Sequence, residues 1–138
     1  MVDRRIIAEK VDSVERSLKK IRGRRGEGLE RFLADDDSQD IVVFHLMQAI
    51  QGCIDLAAHV VSDDELGLAA STHDFFYILS DNGVISRALG EQMIKAVGFR
   101  NLIAHEYAKL DMEKVYDVAT KGIRDLEEFL REMVRRYA

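Results

Sequence analysis

The octapeptide Arg100-Asn101-Leu102-Ile103-Ala104-His105-Glu106-Tyr107 places a guanidinium, a carboxamide, an imidazole and a phenol within about two helical turns. An imidazole titrates near neutrality, at about pH 6.5 when unperturbed, so it can give or take a proton under physiological conditions. A guanidinium offers paired N–H donors to an oxyanion. Asn101 and His105 are four apart and share a helix face, whereas Arg100 lies roughly 140° away from His105 on an ideal helix. Arg100 must therefore reach around on its long stem, or the chain must change course near His105. Leu102, Ile103 and Ala104 are expected to anchor the segment in the core. Arg and His are also ordinary residues at helix ends, so spacing alone leaves a structural reading open beside the chemical one.

Other chemistries find little support. The four histidines, His45, His59, His73 and His105, form no Glu-x-x-His or His-x-x-x-His pair. Asp55 and His59 stand at i and i+4 and read as a hydrogen-bonded pair rather than two metal ligands. Cys53, the only cysteine, lies in an apolar run and reads as a core thiol, and one cysteine makes no intramolecular disulfide. There is no glycine-rich phosphate loop. No metal and no cofactor are expected.

The elements that must hold the octapeptide are helical. With 138 residues, no Pro and 9 Gly, the chain is short of the turn formers that an all-β fold consumes, and its length suits a single domain over 1–138. Ile7, Val11, Val14, Leu18 and Ile21 repeat at 4-3-4-3 spacing, which predicts a first helix capped by Asp3 and ended by Gly-Arg-Arg-Gly-Glu-Gly at 23–28. A run from Ile41 to Val61 is apolar on more than one face, as befits a helix at the centre of a bundle or in an oligomer interface. Ser71 with Asp74 suggests a capping box before a short helix through Phe75 to Leu79, closed by Asp81-Asn82-Gly83. Ser86 caps a helix from Arg87 towards Ala104 or His105, the segment 106–111 breaks the pattern, and Asp111 caps a last helix whose stripe runs from Met112 to Tyr137. Four long helices and one short one make an all-α, up-and-down bundle.

Charge is segregated along this scaffold. Residues 1–31 carry ten Lys/Arg against six Asp/Glu, residues 32–86 carry ten acids and no Lys or Arg, and residues 87–138 are nearly balanced, for a net charge of −5. A one-sided acidic surface is plausible, with the basic ends free to meet phosphates. Residues 1–10 lack a long apolar segment and no run of about 18 apolar residues occurs, so a cytoplasmic protein without a membrane partner is expected.

The string Arg100 to Tyr107 resembles the Arg-X4-6-His motif of HEPN-domain proteins and, in the longer form Arg-Asn-x-x-x-His-x-Tyr, the HepT-like toxins of toxin–antitoxin modules. The resemblance extends in order over roughly residues 3–135. Leu46 to Val61 is similar to that family's second helix, Phe76 to Ser86 to its connector, and Met93 to Asp117 to its core signature. Family members often carry a Pro and an aromatic near 70–74, where this chain reads Ala-Ala-Ser-Thr-His-Asp from 69, which leaves the connector's local shape open.

The resemblance implies a HEPN bundle that forms a homodimer, acts as a metal-independent ribonuclease on an RNA substrate, and is neutralised by a MntA-like nucleotidyltransferase antitoxin. It assigns Arg100 and His105 as the catalytic pair, Asn101 as their polar neighbour, and Tyr107 as the residue modified with AMP. The chemistry is coherent on its own terms. RNA cleavage without a metal uses the 2′-OH as nucleophile, with His as base or acid and Arg for the crowded phosphate. One His cannot easily be both base and acid in a single step, a physical reason to set two motifs across a dimer cleft. Arg22, Arg24 and Arg25 are the expected RNA contacts in the basic block. The rival readings are a non-catalytic HEPN module that binds nucleotide, RNA or a nucleotidyltransferase, and a helical dimer serving as a structural adaptor.

Overall fold

The computed structural model describes residues 1–138 and contains helices and connecting turns but no strand. Helix α1 spans Arg4–Arg25, with the Asp3 carboxylate accepting from the Arg5 amide at 2.9 Å. Its five-residue apolar stripe is fully used, since Ile7, Val11, Val14, Leu18 and Ile21 are all buried. Arg22, Arg24 and Arg25 occupy its last turn, where cations complement the helix dipole, and Gly26 at φ 68° ends it. Leu29–Leu33 forms a one-turn helix, α2, that drives Phe32 into the core.

Helix α3, Asp36–Asp63, is the spine. Asp35 caps it by accepting from the Ser38 amide at 3.1 Å, and Asp36 and Asp37 lie in its first turn. By length and hydropathy α3 could cross a membrane, but half of its most apolar stretch is buried inside the bundle, so much of its apolarity is used in packing. Helix α4, Thr72–Asp81, opens with the expected Ser71–Asp74 capping box, and α5, Arg87–Glu106, opens with Ser86 Oγ accepting from the Leu89 amide at 3.0 Å.

The C-terminal stripe is carried by two helices rather than one. Helix α6, Met112–Asp117, passes into a π-helical turn, Val118–Gly122, before α7, Ile123–Tyr137. A π turn widens the helix and disturbs the regular pairing of its carbonyls. Here the Arg25 guanidinium donates to the Ala119 carbonyl, while the Thr120 hydroxyl donates to the carbonyls of Tyr116, at 2.9 Å, and Asp117, at 3.1 Å. The expected 4-3-4-3 register is altered accordingly: Val115 is buried where Met112 and Tyr116 are only partly so, and Phe129 joins the core. The helical bundle thus keeps its four long components and short α4, with α2 and the π turn added.

The long elements run up and down. Lys10 meets Asp55, and Gly52 faces Val14, so α1 and α3 are antiparallel. A Cβ on Gly52 would stand 2.3 Å from Val14 Cγ2, so only glycine permits this approach of the two helices. Phe76 and Phe129 meet edge to face with centroids 5.5 Å apart, joining α4 to α7. All the buried apolar side chains form a single cluster.

Candidate active site

Helix α5 continues without interruption to Glu106, so Arg100 and His105 keep their roughly 140° separation and no hydrogen bond joins them. Neither expected route is taken: Arg100 does not reach around α5 to His105, and the helix does not change course before it. Arg100 Nη1 donates to Gln51 Oε1 at 3.0 Å, on the neighbouring face of α3. Gln51 Nε2 in turn donates to Asp55 Oδ1 at 3.0 Å, and Asp55 Oδ2 accepts from Lys10 Nζ at 3.5 Å. The chain Lys10–Asp55–Gln51–Arg100 therefore fixes one arm of the guanidinium across three helices. Arg100 Nε is buried and bonded to nothing in the chain.

His105 is exposed, and Asn101, on the same face, is partly buried. The expected anchoring of this segment is only partly met. Ile103 is buried, but Leu102 is 39% exposed and Ala104 is exposed, each lying about 100° around α5 from Ile103. Phe44 on α3 is likewise 56% exposed although it belongs to an apolar run. Asp40, Phe44 and Gln51 stand within about 40° of one another around α3, so this aromatic shares the face that holds Arg100.

Beyond α5 the chain makes one 3-10 turn, Tyr107–Lys109. The Tyr107 ring is about half exposed, and its hydroxyl donates to Asp40 Oδ1 at 2.9 Å. This hydrogen bond, followed by partial burial and the Asp40 charge, holds the phenol above its ordinary pKa. Tyr107 is thus tied to α3 rather than packed on the final helix.

The three arginines at the end of α1 have different surroundings. Arg25 is committed to the Ala119 carbonyl, Arg22 lies 3.9 Å from Glu127, and Arg24 is exposed, close enough to Asp35 to help hold that carboxyl low. The main cause of the Asp35 shift is its hydrogen bonding to Ser38. Since α1 and α3 are antiparallel, Arg24 stands at the end of the bundle where Asp40 holds Tyr107.

Elsewhere, Asp55 turns to Gln51 and Lys10, while His59 Nε2 lies 3.3 Å from Asp63 Oδ2. Cys53 is fully buried, and burial, with the Asp55 charge adding, pushes its thiol far up, as expected of a core residue. His45 is held below the usual histidine range by burial and by Lys20. Gln51 and Asp40 are the site residues that motif spacing does not reveal. In sequence they are only two of three polar positions, 40, 51 and 55, on one side of a helix that also carries His45, Gln48 and His59.

Comparison with known proteins gives a consistent pattern. The model of the ribonuclease HepT-like family matches residues 14–133. The chain is 33% identical to an mRNA nuclease HepT of Shewanella oneidensis over 125 residues, 91% of this chain and 93% of that protein. It is 22% identical over 129 residues to a tRNA nuclease HepT of Aphanizomenon flos-aquae, covering 93% and 87% of the two. Among solved structures, a tri-AMPylated Shewanella oneidensis HEPN toxin in complex with MNT antitoxin superposes with a TM-score of 0.89 at 32% identity, covering 99% of this chain and 100% of the other.

Proposed function

The chain belongs to the HepT-like ribonuclease family, and from that membership we propose that it is a metal-independent endoribonuclease toxin with a composite active site. Each copy contributes Arg100, Asn101 and His105 to a cleft formed by a homodimer in the cytoplasm. The observation that carries this reading is the half-finished character of the site in one chain. Arg100 is braced from α3 by Gln51, while His105 stands exposed on another face of α5, and Phe44 on α3 and Leu102 and Ala104 on α5 are apolar side chains left exposed. A second copy packed on this surface covers the apolar side chains and supplies the second imidazole.

In that cleft one His105 removes the proton from an RNA 2′-OH as it attacks the adjacent phosphorus. The partner's His105 protonates the departing 5′-oxygen. Arg100, with one arm fixed on Gln51, directs its Nη2 N–H groups at the non-bridging phosphate oxygens, whose charge grows in the transition state. Asn101 shares the face of His105 and can orient the substrate. RNA on either side of the scissile bond follows the basic end of α1, where Arg24 is the most available of Arg22, Arg24 and Arg25.

Neutralisation falls to a nucleotidyltransferase partner that transfers AMP to Tyr107. The tri-AMPylated state of the Shewanella toxin supports this reading, as does a phenol that is half exposed two residues from His105. Each attached AMP sets bulk and negative charge at the mouth of a site that must admit an anionic backbone. The test is co-expression with the nucleotidyltransferase encoded nearest the toxin. Recovery of growth together with mass increments of about 329 Da, one AMP residue by covalent formula, is expected and should vanish in Tyr107→Phe. Full neutralisation of an unmodified toxin would assign the partner to simple occlusion.

A further inference from the structure

We propose that Asp40 accepts the proton of the Tyr107 hydroxyl when AMP is transferred to it, so that the chain carries part of the chemistry of its own neutralisation. This rests on Tyr107 being the modified residue. A phenol is a poor nucleophile until its proton has somewhere to go, and here the phenol is held protonated above its ordinary range. The group bonded to it is the Asp40 carboxylate, whose Oδ1 accepts from Tyr107 Oη at 2.9 Å, within reach of direct proton transfer. Both groups are exposed, so a partner holding a nucleoside triphosphate can approach Oη on the side away from the carboxylate.

In the transfer, Oη attacks the α-phosphorus of ATP and an Oη–P bond forms. The bond from that phosphorus to the bridging oxygen of the β-phosphate breaks, and pyrophosphate leaves. The phenolic proton passes to Asp40 and then to water. Afterwards the Oη–H donor no longer exists, and Asp40 faces a phosphodiester of its own sign. The modified side chain is therefore released from α3 and driven outward into solvent. Asp40 acts on the first AMP only, because a tyrosine has a single hydroxyl and any later unit must attach to a different oxygen.

The experiment follows the full-length toxin, the nucleotidyltransferase and ATP by intact mass, with wild-type, Asp40→Asn, Asp40→Glu and Tyr107→Phe chains. Asparagine keeps an oxygen that can accept the Tyr107 hydrogen bond but cannot take the proton, so it separates holding from proton transfer. Asp40→Asn should lower the maximal rate of first addition by about 10²-fold with little change in KM for the toxin. Chains that have received one AMP should then proceed to later additions at wild-type speed, and Asp40→Glu should recover at least about tenfold of the loss. First addition in Asp40→Asn within about twofold of wild type, or a loss confined to KM, would overturn the assignment. A wild-type toxin that gains no AMP, or gains it equally in Tyr107→Phe, would instead overturn the modification reading, and this proposal with it. Circular dichroism of the variants confirms that the helices are retained.

Discussion

Arg100 and Tyr107 are both held by side chains of α3, and the two bonds have different consequences. The Arg100–Gln51 contact joins a cation to a neutral amide, so it orients the guanidinium without neutralising the charge that phosphate needs. Gln51→Ala should leave Arg100 free to rotate and lower RNA cleavage about tenfold, a cost of about 1.4 kcal/mol in transition-state stabilisation. Gln51→Glu should be worse, because the added carboxylate competes with phosphate for the same fork. Cleavage assays on both variants check the order. The Tyr107–Asp40 bond is lost when the phenol ionises, and the resulting like charges raise its pKa further. A raised folded-state pKa means that the folded chain retains this proton more tightly. The associated stabilisation is present below the unfolded value, about pH 10, and disappears as pH rises through the folded value. In an ultraviolet titration, the difference between wild type and Tyr107→Phe should show this phenol ionising above the usual tyrosine range. Asp40→Asn should bring it back down, and an unchanged midpoint would mean that the bond is absent in solution.

The helices show why local periodicity reveals so much of this fold and where it stops. The stripe of α1, the caps at Asp3, Ser71, Ser86 and Asp111, and the central position of α3 follow from spacing and turn chemistry alone. The π turn does not, because the apolar spacing of the C-terminal segment runs through it unbroken, and the guanidinium that donates to its Ala119 carbonyl comes from Arg25, 94 residues earlier. The same holds for the brace on Arg100 and the anchor on Tyr107, which join residues 49 and 67 apart. Arg100, Asn101, His105 and Tyr107 stand out in sequence because they are close together, whereas Gln51 and Asp40 become visible only when α3 lies against α5. That placement depends on the contact of α3 with α1 at Gly52. Adding a methyl group there pushes against buried Val14 in a closely packed seam, at a cost of about 1–3 kcal/mol, partly offset by up to about 1 kcal/mol of helix propensity. Gly52→Ala should therefore lower the thermal midpoint, and because Gln51 is its neighbour, cleavage should fall as well. A midpoint at or above wild type would show that the seam opens without cost.

Across the whole molecule, the stretch free of Lys and Arg, residues 32–86, does not stand apart from the site, since it supplies both Gln51 and Asp40. In the proposed reading, RNA at Arg100 lies next to this acidic element, which would give the basic end of α1 a larger share in drawing phosphates in. Arg24→Ala should weaken RNA binding and reduce the dependence of log K on log salt by about one contact's worth. Arg25 is a poorer probe because its loss also frees the Ala119 carbonyl. The exposed Phe44, Leu102 and Ala104 suit the proposed dimer, in which two copies of the motif would give the proton donor and acceptor that one copy lacks. The most direct measurement is cleavage of RNA by the purified wild-type, His105→Ala and Arg100→Ala proteins in EDTA, with helicity and oligomeric state checked alongside. The composite site predicts that the wild-type dimer cuts RNA under chelation and that each substitution lowers the rate by about 10²-fold or more while leaving the helices and the dimer intact. Cleavage undiminished in both variants, or a wild-type activity lost in EDTA and restored by Mg²⁺, would contradict it.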